Sequence, residues 1–454
     1  MSLINQYKLT YSLLALLMFT SVTGNADDKT ALQQTFNLDK AISYALDNNP
    51  DLQIAAQRIK QAEAQLGEAL AVFYPQLSAK ISYEHSDNPA QVFAMIVAQR
   101  EFDANSIQHI NNPGSRQNFR PELIGKLSLF RGGQDYYRSK AAELGIASAE
   151  LEQSALRNAL TQSVTVAYYG YLAALEALKI AQDAITVINS ELTQTRHQYE
   201  GGTVLKSDLL SLQVKLAQAQ EDEIKAKNAI DLAMTSIKTL LATPTGMSFT
   251  LVDNQPLQTP ALPAVYSELL TQALAQRPEL KAAANQIAIS EKQSQTEQGA
   301  YLPRVDAYVS YGQNSQNPDF SSNKDNVTAG VSIEMDLFTG LSTKHRVSAA
   351  QHKVAEAREA QRKMQISIEQ DVKSAYLKLS EALARINVNQ ASMAAAEEAF
   401  RLVNEERAAG IATVTRYIEA EVARNNAQAA IIAARFDALS AEATLKMAIG
   451  DALK

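Results

Sequence analysis

The chain repeats itself, and this duplication constrains its fold more than any other feature of the sequence. Residues 45–52 read Ala-Leu-Asp-Asn-Asn-Pro-Asp-Leu, and residues 273–280 read Ala-Leu-Ala-Gln-Arg-Pro-Glu-Leu, at an offset of 228 residues. Further along, Leu-Phe-Arg-Gly at 129–132 recurs as Leu-Phe-Thr-Gly at 337–340, at an offset of 208 residues. The sequence therefore predicts two similar structural repeats. Because the offset falls by about twenty, the first repeat carries extra residues in one place, which is typical of a surface loop.

The amino terminus has the composition of a secretory signal. Lys8 precedes a short apolar run at residues 11–19, and the small residues Gly24 and Ala26 follow it. That run is too short to span a bilayer as a helix, so we expect cleavage before Asp27. The predicted organisation is a signal peptide at residues 1–26, a first structural repeat at 27–255 and a second structural repeat at 256–454, with a proline-rich joint near 256–263.

Four short segments alternate between apolar and polar residues, at about 75–84, 120–130, 303–312 and 326–338. In the last segment, Val331, Ile333 and Met335 alternate with Ser332 and Glu334. This period of two predicts outer-membrane barrel strands, with apolar side chains facing lipid and polar side chains facing the lumen. The alternative is a soluble antiparallel sheet with one solvated face, but the sequence offers no further strands to pack against it.

Four strands per chain are too few to close a barrel, since the smallest closed barrels have about eight. Three chains would supply twelve. After the signal, the sequence has no apolar run approaching ~20 residues, so a mature chain that enters a membrane must do so as a closed barrel. The connections at about 85–119 and 312–326 are rich in Asn, Pro and Ser, as expected for external loops.

Long helices follow each pair of strands. Between Gly132 and Tyr199 there is no proline, and a helix of that length would span about 100 Å. Apolar positions recur every seven residues in the same phase of both repeats, which predicts a coiled coil. They are Val164, Tyr171, Leu178, Ile185 and Leu192 in the first repeat, and Val372, Leu379, Ile386, Met393 and Phe400 in the second. Shorter helices at about 52–73 and 206–242 are expected to lie end to end along the first long helix.

The composition excludes several classes of function. The chain has no cysteine, which removes thiol catalysis, disulfides and a lipid-modified amino terminus. A net charge of −7 is unfavourable for nucleic-acid binding. His345 and His352 do not have the spacing of a metal pair, and neither Gly-Gly pair continues into a phosphate-binding motif. We therefore expect no catalytic, cofactor-binding or metal-binding residues, and no enzymatic activity.

The sequence also resembles a known family. The most specific elements are the duplicated proline motifs, Tyr-Pro-Gln-Leu and Leu-Pro-Arg-Val before two strands, Leu-Phe-x-Gly after two strands, and the helix break at residues 199–203 followed by Ser207-Asp208. In their order, they are similar to the TolC-like outer-membrane factors of Gram-negative bacteria. The resemblance implies a mostly helical homotrimer with a small β part, in which a twelve-stranded outer-membrane barrel continues into a coiled-coil periplasmic tunnel.

The same resemblance implies a function and partners. It predicts the outer-membrane channel of a tripartite efflux pump or type I secretion system, working with a periplasmic adaptor and an inner-membrane RND or ABC-type pump, in contact with outer-membrane lipid. Two alternatives stay open. A passive outer-membrane porin would not need the long helices, and a structural coiled-coil protein of the envelope would not need the strands.

Residues near the helix breaks are the candidate functional site. Gly201, Gly202 and Gly410 are expected at the helix-turn tips, nearest the periplasmic partners. By the resemblance, Arg416 and Glu419 occupy positions that usually carry the constricting carboxylates of the periplasmic gate, and Asp208 matches a residue that bonds to the inner hairpin. We hypothesise that Arg416 pairs with Glu419, of its own or a neighbouring chain, or with Asp208. The usual basic partner of Asp208 is replaced here by Ala412.

Overall fold

The computed structural model describes residues 34–244, 246–247, 249–252, 258–263, 265–320 and 322–451. The predicted signal peptide at 1–26 and the predicted boundary between the repeats at residues 255 and 256 lie outside these ranges. The described helices are α1 (Leu38–Asn48), α2 (Pro50–Ala71), α3 (Pro89–Ala98), α4 (Ala104–Gln108), α5 (Gln134–Glu200), α6 (Lys206–Leu241), α7 (Tyr266–Gln276), α8 (Pro278–Gln298), α9 (Ser342–Ala408) and α10 (Val414–Ala448). The described strands are β1 (Gln34–Phe36), β2 (Gln76–Ser86), β3 (Arg116–Arg131), β4 (Phe249–Leu251), β5 (Arg304–Gln313) and β6 (Asp325–Glu334).

Two helical hairpins dominate the molecule. The long helices α5 and α9 each have 67 residues. Helix α6 packs back along α5, and α10 packs back along α9. All ten predicted heptad positions are buried or half-buried, so the predicted coiled-coil phase is confirmed. Among the described residues, no helix combines the length and the apolar content that are needed to cross a bilayer.

The duplicated proline motif marks the place where two shorter helices meet end to end. Pro50 is the first residue of α2, and Asn49 caps this helix by accepting the N–H of Asp51 at 2.8 Å. Proline is well tolerated there because the first N–H groups of a helix have no partner within it. The Asn49 amide also donates to the carbonyl of Leu240, near the end of α6, at 3.0 Å. Helices α6 and α2 both pack on α5, so they flank it in succession, as predicted.

The four long strands form one antiparallel sheet in the order β2-β3-β5-β6. Directly opposed residues of antiparallel strands share a face of the sheet, so the register sorts the side chains. One face is apolar and exposed, and includes Leu77, Ile81, Tyr83, Leu123, Val309, Tyr311, Val327, Val331 and Ile333. The other face is mostly polar, and includes Lys80, Ser82, Glu84, Asn118, Glu122, Lys126, Asp306, Ser310, Thr328, Ser332 and Glu334.

The last strand is shorter than the sequence suggested. Strand β6 ends at Glu334, which pairs with Arg304, the first residue of β5. The chain before Arg304 turns in a short 3-10 helix at Gly299–Tyr301, so no partner backbone continues the ladder. The prediction that Met335 belongs to this strand is therefore wrong by one residue, and the predicted end at 338 is too far along the chain. Met335 lies just past the strand and is exposed.

The connection between β2 and β3, which the sequence predicts as an external loop, has secondary structure of its own. It contains α3 and α4, and the strands on either side extend further into it, to Ser86 and from Arg116. The Asn88 side chain accepts the N–H groups of Ala90 and Gln91, and Pro89 is the first residue of α3. The Asn-Pro pair therefore starts a helix here and does not simply make a turn.

Candidate functional site

The candidate site lies at the ends of the two hairpins, where each long helix turns back. Gly202 and Gly410 have φ angles of 73° and 76°, a left-handed conformation that glycine adopts without the steric cost of a Cβ atom. After α5, the Thr203 N–H donates to the carbonyl of Gln198 at 2.9 Å. After α9, the Ile411 N–H donates to the carbonyl of Glu406 at 2.8 Å. The two turns are thus equivalent, and Gly201 ends α5 one residue before its turn glycine.

Asp208 acts locally in the structure. It lies in the first turn of α6, and its carboxylate accepts the N–H of Leu205 at 3.3 Å. This bond satisfies a donor that the start of a helix otherwise leaves unpaired. Asp208 is half-buried, and Ala412, at the position of its usual basic partner, is buried.

Arg416 has a different partner from the one hypothesised. Its guanidinium lies 3.4 Å from the carboxylate of Glu406, across the turn between α9 and α10. The hypothesised pairing with Glu419 or Asp208 is therefore not formed within the chain. Arg416 is 61% exposed, and Glu419 is also exposed. An exposed pair of this kind contributes about 0–1 kcal/mol, so it orients Arg416 more than it stabilises the turn.

A buried charge pair that the sequence analysis missed joins the two hairpins. The Nε of Arg407, in the last turn of α9, donates to Oε1 of Glu191 in α5 at 2.9 Å, and both side chains are about 5% exposed. The same guanidinium donates to the Thr195 hydroxyl at 3.2 Å and to the Gln198 amide oxygen at 3.0 Å. The Thr195 hydroxyl donates to Glu191 at 3.1 Å. We call these four residues the inter-hairpin network.

A second buried carboxylate lies further from the turns. Glu421 of α10 is 1% exposed. One of its oxygens accepts a hydrogen bond from the amide of Asn425, and the other has no hydrogen-bond partner. Burial raises the pKa of Glu421, and the hydrogen bond from Asn425 and the charges of Lys215 and Arg424 oppose that rise. Glu421 and Lys215 line a cavity of about 400 Å³ between α5, α6 and α10, together with seven alanines and other apolar and polar side chains.

Tyr417 lies close enough to the inter-hairpin network and to Glu421 to be affected by the charges of both. It is buried, and its ring packs against that of Phe400 with 5.5 Å between the centroids. Burial, together with the negative charges of Glu191 and Glu421, raises the pKa of Tyr417 to about 12. Tyr417 therefore stays neutral at physiological pH.

The described residues include no group of three His, Cys, Asp or Glu side chains that is placed to hold a metal ion. Comparison with known families gives the site its context. The model of the outer membrane efflux protein family matches residues 41–243 and 269–451. The chain belongs to this family. It is an outer-membrane channel component of the efflux and type I secretion class, located in the outer membrane and extending into the periplasm.

Individual relatives agree with this assignment. The chain is 24% identical to the alkaline protease secretion protein AprF of Pseudomonas aeruginosa over 72% of its own length and 69% of that protein. It is 22% identical to the outer membrane protein TolC of Escherichia coli over 96% of its own length and 86% of that protein. Its fold matches the outer membrane channel CmeC of Campylobacter jejuni with a TM-score of 0.78 and 17% identity, covering 92% and 86% of the two chains.

Proposed function

We propose that three copies of this chain form one export duct. The observation that carries this proposal is the four-stranded sheet, which exposes a continuous apolar face. Within the described residues, β2 and β6 each pair with a neighbour on one side only. An open sheet edge is not tolerated in the hydrocarbon layer, because its N–H and C=O groups would lack partners. Three sheets joined edge to edge, β2 to β6, would close a barrel of twelve strands.

In this barrel the exposed apolar face meets lipid and the polar face lines the lumen. Val331 and Ile333 lie on the apolar face, while Ser332 lies on the polar one. Strand β3 leads into α5 after two residues, and β6 leads into α9 after seven residues. Each of these helices spans about 100 Å. Three chains would then supply six helical hairpins around one axis, giving the helical tunnel that extends the barrel through the periplasm.

The hairpin ends would form the periplasmic gate and the docking surface for partners. Threefold symmetry brings three copies of Arg416, Glu419 and Asp208 near one another, and the Glu406 partner of Arg416 adds a further acid. The inter-hairpin network holds the two hairpins of each chain together, so it opposes their separation. We propose that a periplasmic adaptor docks at the turns around Gly201, Gly202 and Gly410, and that an inner-membrane RND or ABC-type pump delivers the cargo. This assigns the chain transport and no catalysis.

The trimer is tested most directly by cross-linking. The chain contains no cysteine, so Ser82→Cys in β2 combined with single cysteines placed successively along β6 introduces the only thiols. A matching pair should give disulfide-linked species that stop at three chains in detergent. The Ser82→Cys chain alone, as the control, should give no such ladder. A folded monomer, or linkage that continues beyond three chains, would contradict the closed barrel.

Export is tested in cells that lack this chain. Accumulation of a fluorescent pump substrate should rise on its loss and return to normal on complementation. A passive porin would behave in the opposite way, since its loss would slow uptake of small solutes and leave energy-dependent export unchanged.

A further inference from the structure

The connection between β2 and β3, residues 87–115, folds back onto the sheet, and we call it the mouth segment. Gln99, which follows α3, is fully buried. Its side-chain amide donates to the Gln117 carbonyl at 2.8 Å and to the Asn118 side chain at 3.1 Å, and its oxygen accepts from Nε of Arg116 at 2.7 Å. These hydrogen bonds attach Gln99 to the first three residues of β3.

The register shows which face of the sheet this contact lies on. Asn118 opposes Glu84 and Arg116 opposes Ser86, so both point to the polar face. The Asn118 amide also donates to the Asn314 side chain at 2.9 Å, just past the end of β5. The mouth segment therefore lies against the polar face, at the end of the sheet opposite the long helices.

A second set of contacts fixes the mouth segment across the width of the sheet. Arg100 donates to the carbonyls of Asn323 and Asp325 at 2.7 and 2.6 Å. The carboxylate of Glu101 lies 2.6 Å from the Lys324 ammonium and also pairs with Arg116. Asn323 and Lys324 belong to the connection between β5 and β6, and Asp325 begins β6. The insertion in the first repeat is therefore tied to the corresponding connection of the second.

The diameter of the barrel determines how much of the lumen the mouth segments would fill. Strands spaced ~4.8 Å apart and tilted by ~40° give a twelve-stranded barrel a backbone diameter of about 24 Å. A helix with its side chains is about 10 Å across. One mouth segment from each of three chains would place three such helices inside the lumen, and together they would fill about half of its cross-section.

We infer that the three mouth segments form a constriction inside the outer end of the barrel, which limits the size of molecules that pass there. This inference rests on the proposed trimeric barrel. The constriction is separate from the periplasmic gate, because its contacts involve only the strands and their connections at the end of the sheet opposite the long helices. The Glu101 pairs with Lys324 and Arg116 hold it folded in.

Labelling from outside the cell tests the constriction independently of the gate. Ser310 lies on the polar face, opposite Ile124 and Thr328, further from the outer end than Asn118. In a chain without cysteine, Ser310→Cys provides a single thiol there. Intact cells are treated with a small maleimide and with a maleimide attached to a long polyethylene glycol chain. The small reagent should label this thiol, and the large one should not.

Two changes to the mouth segment should admit the large reagent. Replacing residues 88–114 with a short Gly-Ser linker should let it react with the Ser310→Cys thiol at nearly the rate of the small one. The milder change Glu101→Ala, which removes two ion pairs and is expected to leave the strands intact, should raise the large-reagent rate by about tenfold, equivalent to ~1.4 kcal/mol in the opening equilibrium. Heat-resistant trimers on gels show that each variant has folded.

The possible failures are distinguishable. If the large reagent labels Ser310→Cys as fast as the small reagent does when the mouth segment is intact, there is no constriction. That result would not contradict the proposed barrel. If the small reagent labels Val309→Cys on the opposite face but never Ser310→Cys, the polar face does not line a lumen. That result would overturn the barrel, and the constriction with it.

Discussion

Removing one charge of the inter-hairpin network should loosen the hairpin ends much more than removing both. Glu191 and Arg407 are each about 5% exposed and lie 2.9 Å apart, so both have lost most of their hydration. In Arg407→Met, the Glu191 carboxylate stays buried with only the Thr195 hydroxyl as a donor. In Glu191→Leu, the Arg407 guanidinium keeps only its neutral partners, Thr195 and Gln198.

The magnitude follows from the cost of leaving a buried charge unpaired. Breaking a buried pair by removing one partner costs about 3–5 kcal/mol, whereas replacing both partners with apolar side chains of similar volume is often neutral or stabilising. The two single changes should therefore each cost about 3–5 kcal/mol, and the double change Glu191→Leu with Arg407→Met about 0–1 kcal/mol. The coupling free energy between the two positions should be several times larger than for a surface pair.

Hydrogen exchange is the appropriate assay, because it reports local opening without requiring the trimer to unfold reversibly. Exchange of the backbone amides in the last turn of α9 and around residues 191–198 should accelerate by about a hundredfold or more in each single variant, since ~1.4 kcal/mol corresponds to a factor of ten. The strands should exchange as in the unaltered protein. If the network also holds the gate closed, the resting conductance of the single variants in planar bilayers should rise.

Arg401→Met is the matched control. Arg401 lies on the same helix but is 53% exposed, and pairs with Glu398 and Glu405 of its own helix. Such exposed pairs contribute little because water screens them, so exchange should change by only a few-fold. If Arg407→Met behaves like Arg401→Met, or if the effects of the two network changes simply add, the network does not join the hairpins energetically.

Three further predictions concern the membrane, the gate and the second buried carboxylate. Val331→Arg should cost about 2–4 kcal/mol of trimer stability if this residue lies near the bilayer midplane, while Ser332→Arg on the lumen face should cost much less. Equal loss of heat-resistant trimer in the two variants would mean that the assigned register of this strand is wrong. Arg416→Glu should raise resting conductance, since it places a carboxylate beside Glu406, and an unchanged conductance would remove Arg416 from the gate. Glu421→Gln should raise the thermal midpoint at neutral pH but not below the ordinary carboxyl pKa. The sign follows because a raised pKa favours the protonated folded form, so the stability that Glu421 contributes is present at low pH and lost as pH rises; parallel pH profiles of variant and parent would refute this.

Periodic features of the fold were predictable from the sequence, because they repeat. The heptad phase recurs in both halves, and each strand signals its apolar and polar faces through alternation alone. Met335 shows the limit of this reasoning. Its apolar side chain continues the alternation of Val331 and Ile333, but a strand also needs a partner, and the partner strand begins at Arg304. The length of a strand therefore depends on pairing that the pattern of one segment does not contain.

Local sequence signals were ambiguous where the same dipeptide can either form a turn or begin a helix. Asn-Pro at 88–89 was interpreted as a loop signal, yet it caps α3 in the same way that Asn49 and Pro50 cap α2. The residues after the cap decide the outcome. Pro89–Ala98 is almost wholly apolar, and burying Val92 and Met95 stabilises a helix in a connection that would otherwise stay open.

The buried pair of the inter-hairpin network was the feature least predictable from the sequence, because its two members are far apart along the chain. Arg407 and Glu191 are 216 positions apart, and each stands in a long helix rich in other charges. Nothing in the local pattern separates this pair from Arg401 and Glu405, which are four residues apart and exposed. What distinguishes the buried pair is the approach of two hairpins, which only the packing of α5 against α10 and the turn after α9 bring about.

The two ends of the duct are therefore held by different kinds of contact. At the outer end, Glu101 and Lys324 lie in connections between strands whose register is fixed by backbone hydrogen bonds, so the constriction depends on how firmly the mouth segment is attached to the sheet. At the inner end, Arg407 of α9 and Glu191 of α5 pair across two hairpins that also meet through larger apolar side chains, among them Leu192 of α5 and Val414 of α10. Because both charges are buried, breaking this pair leaves each of them without its charged partner, so the network resists separation of the two hairpins.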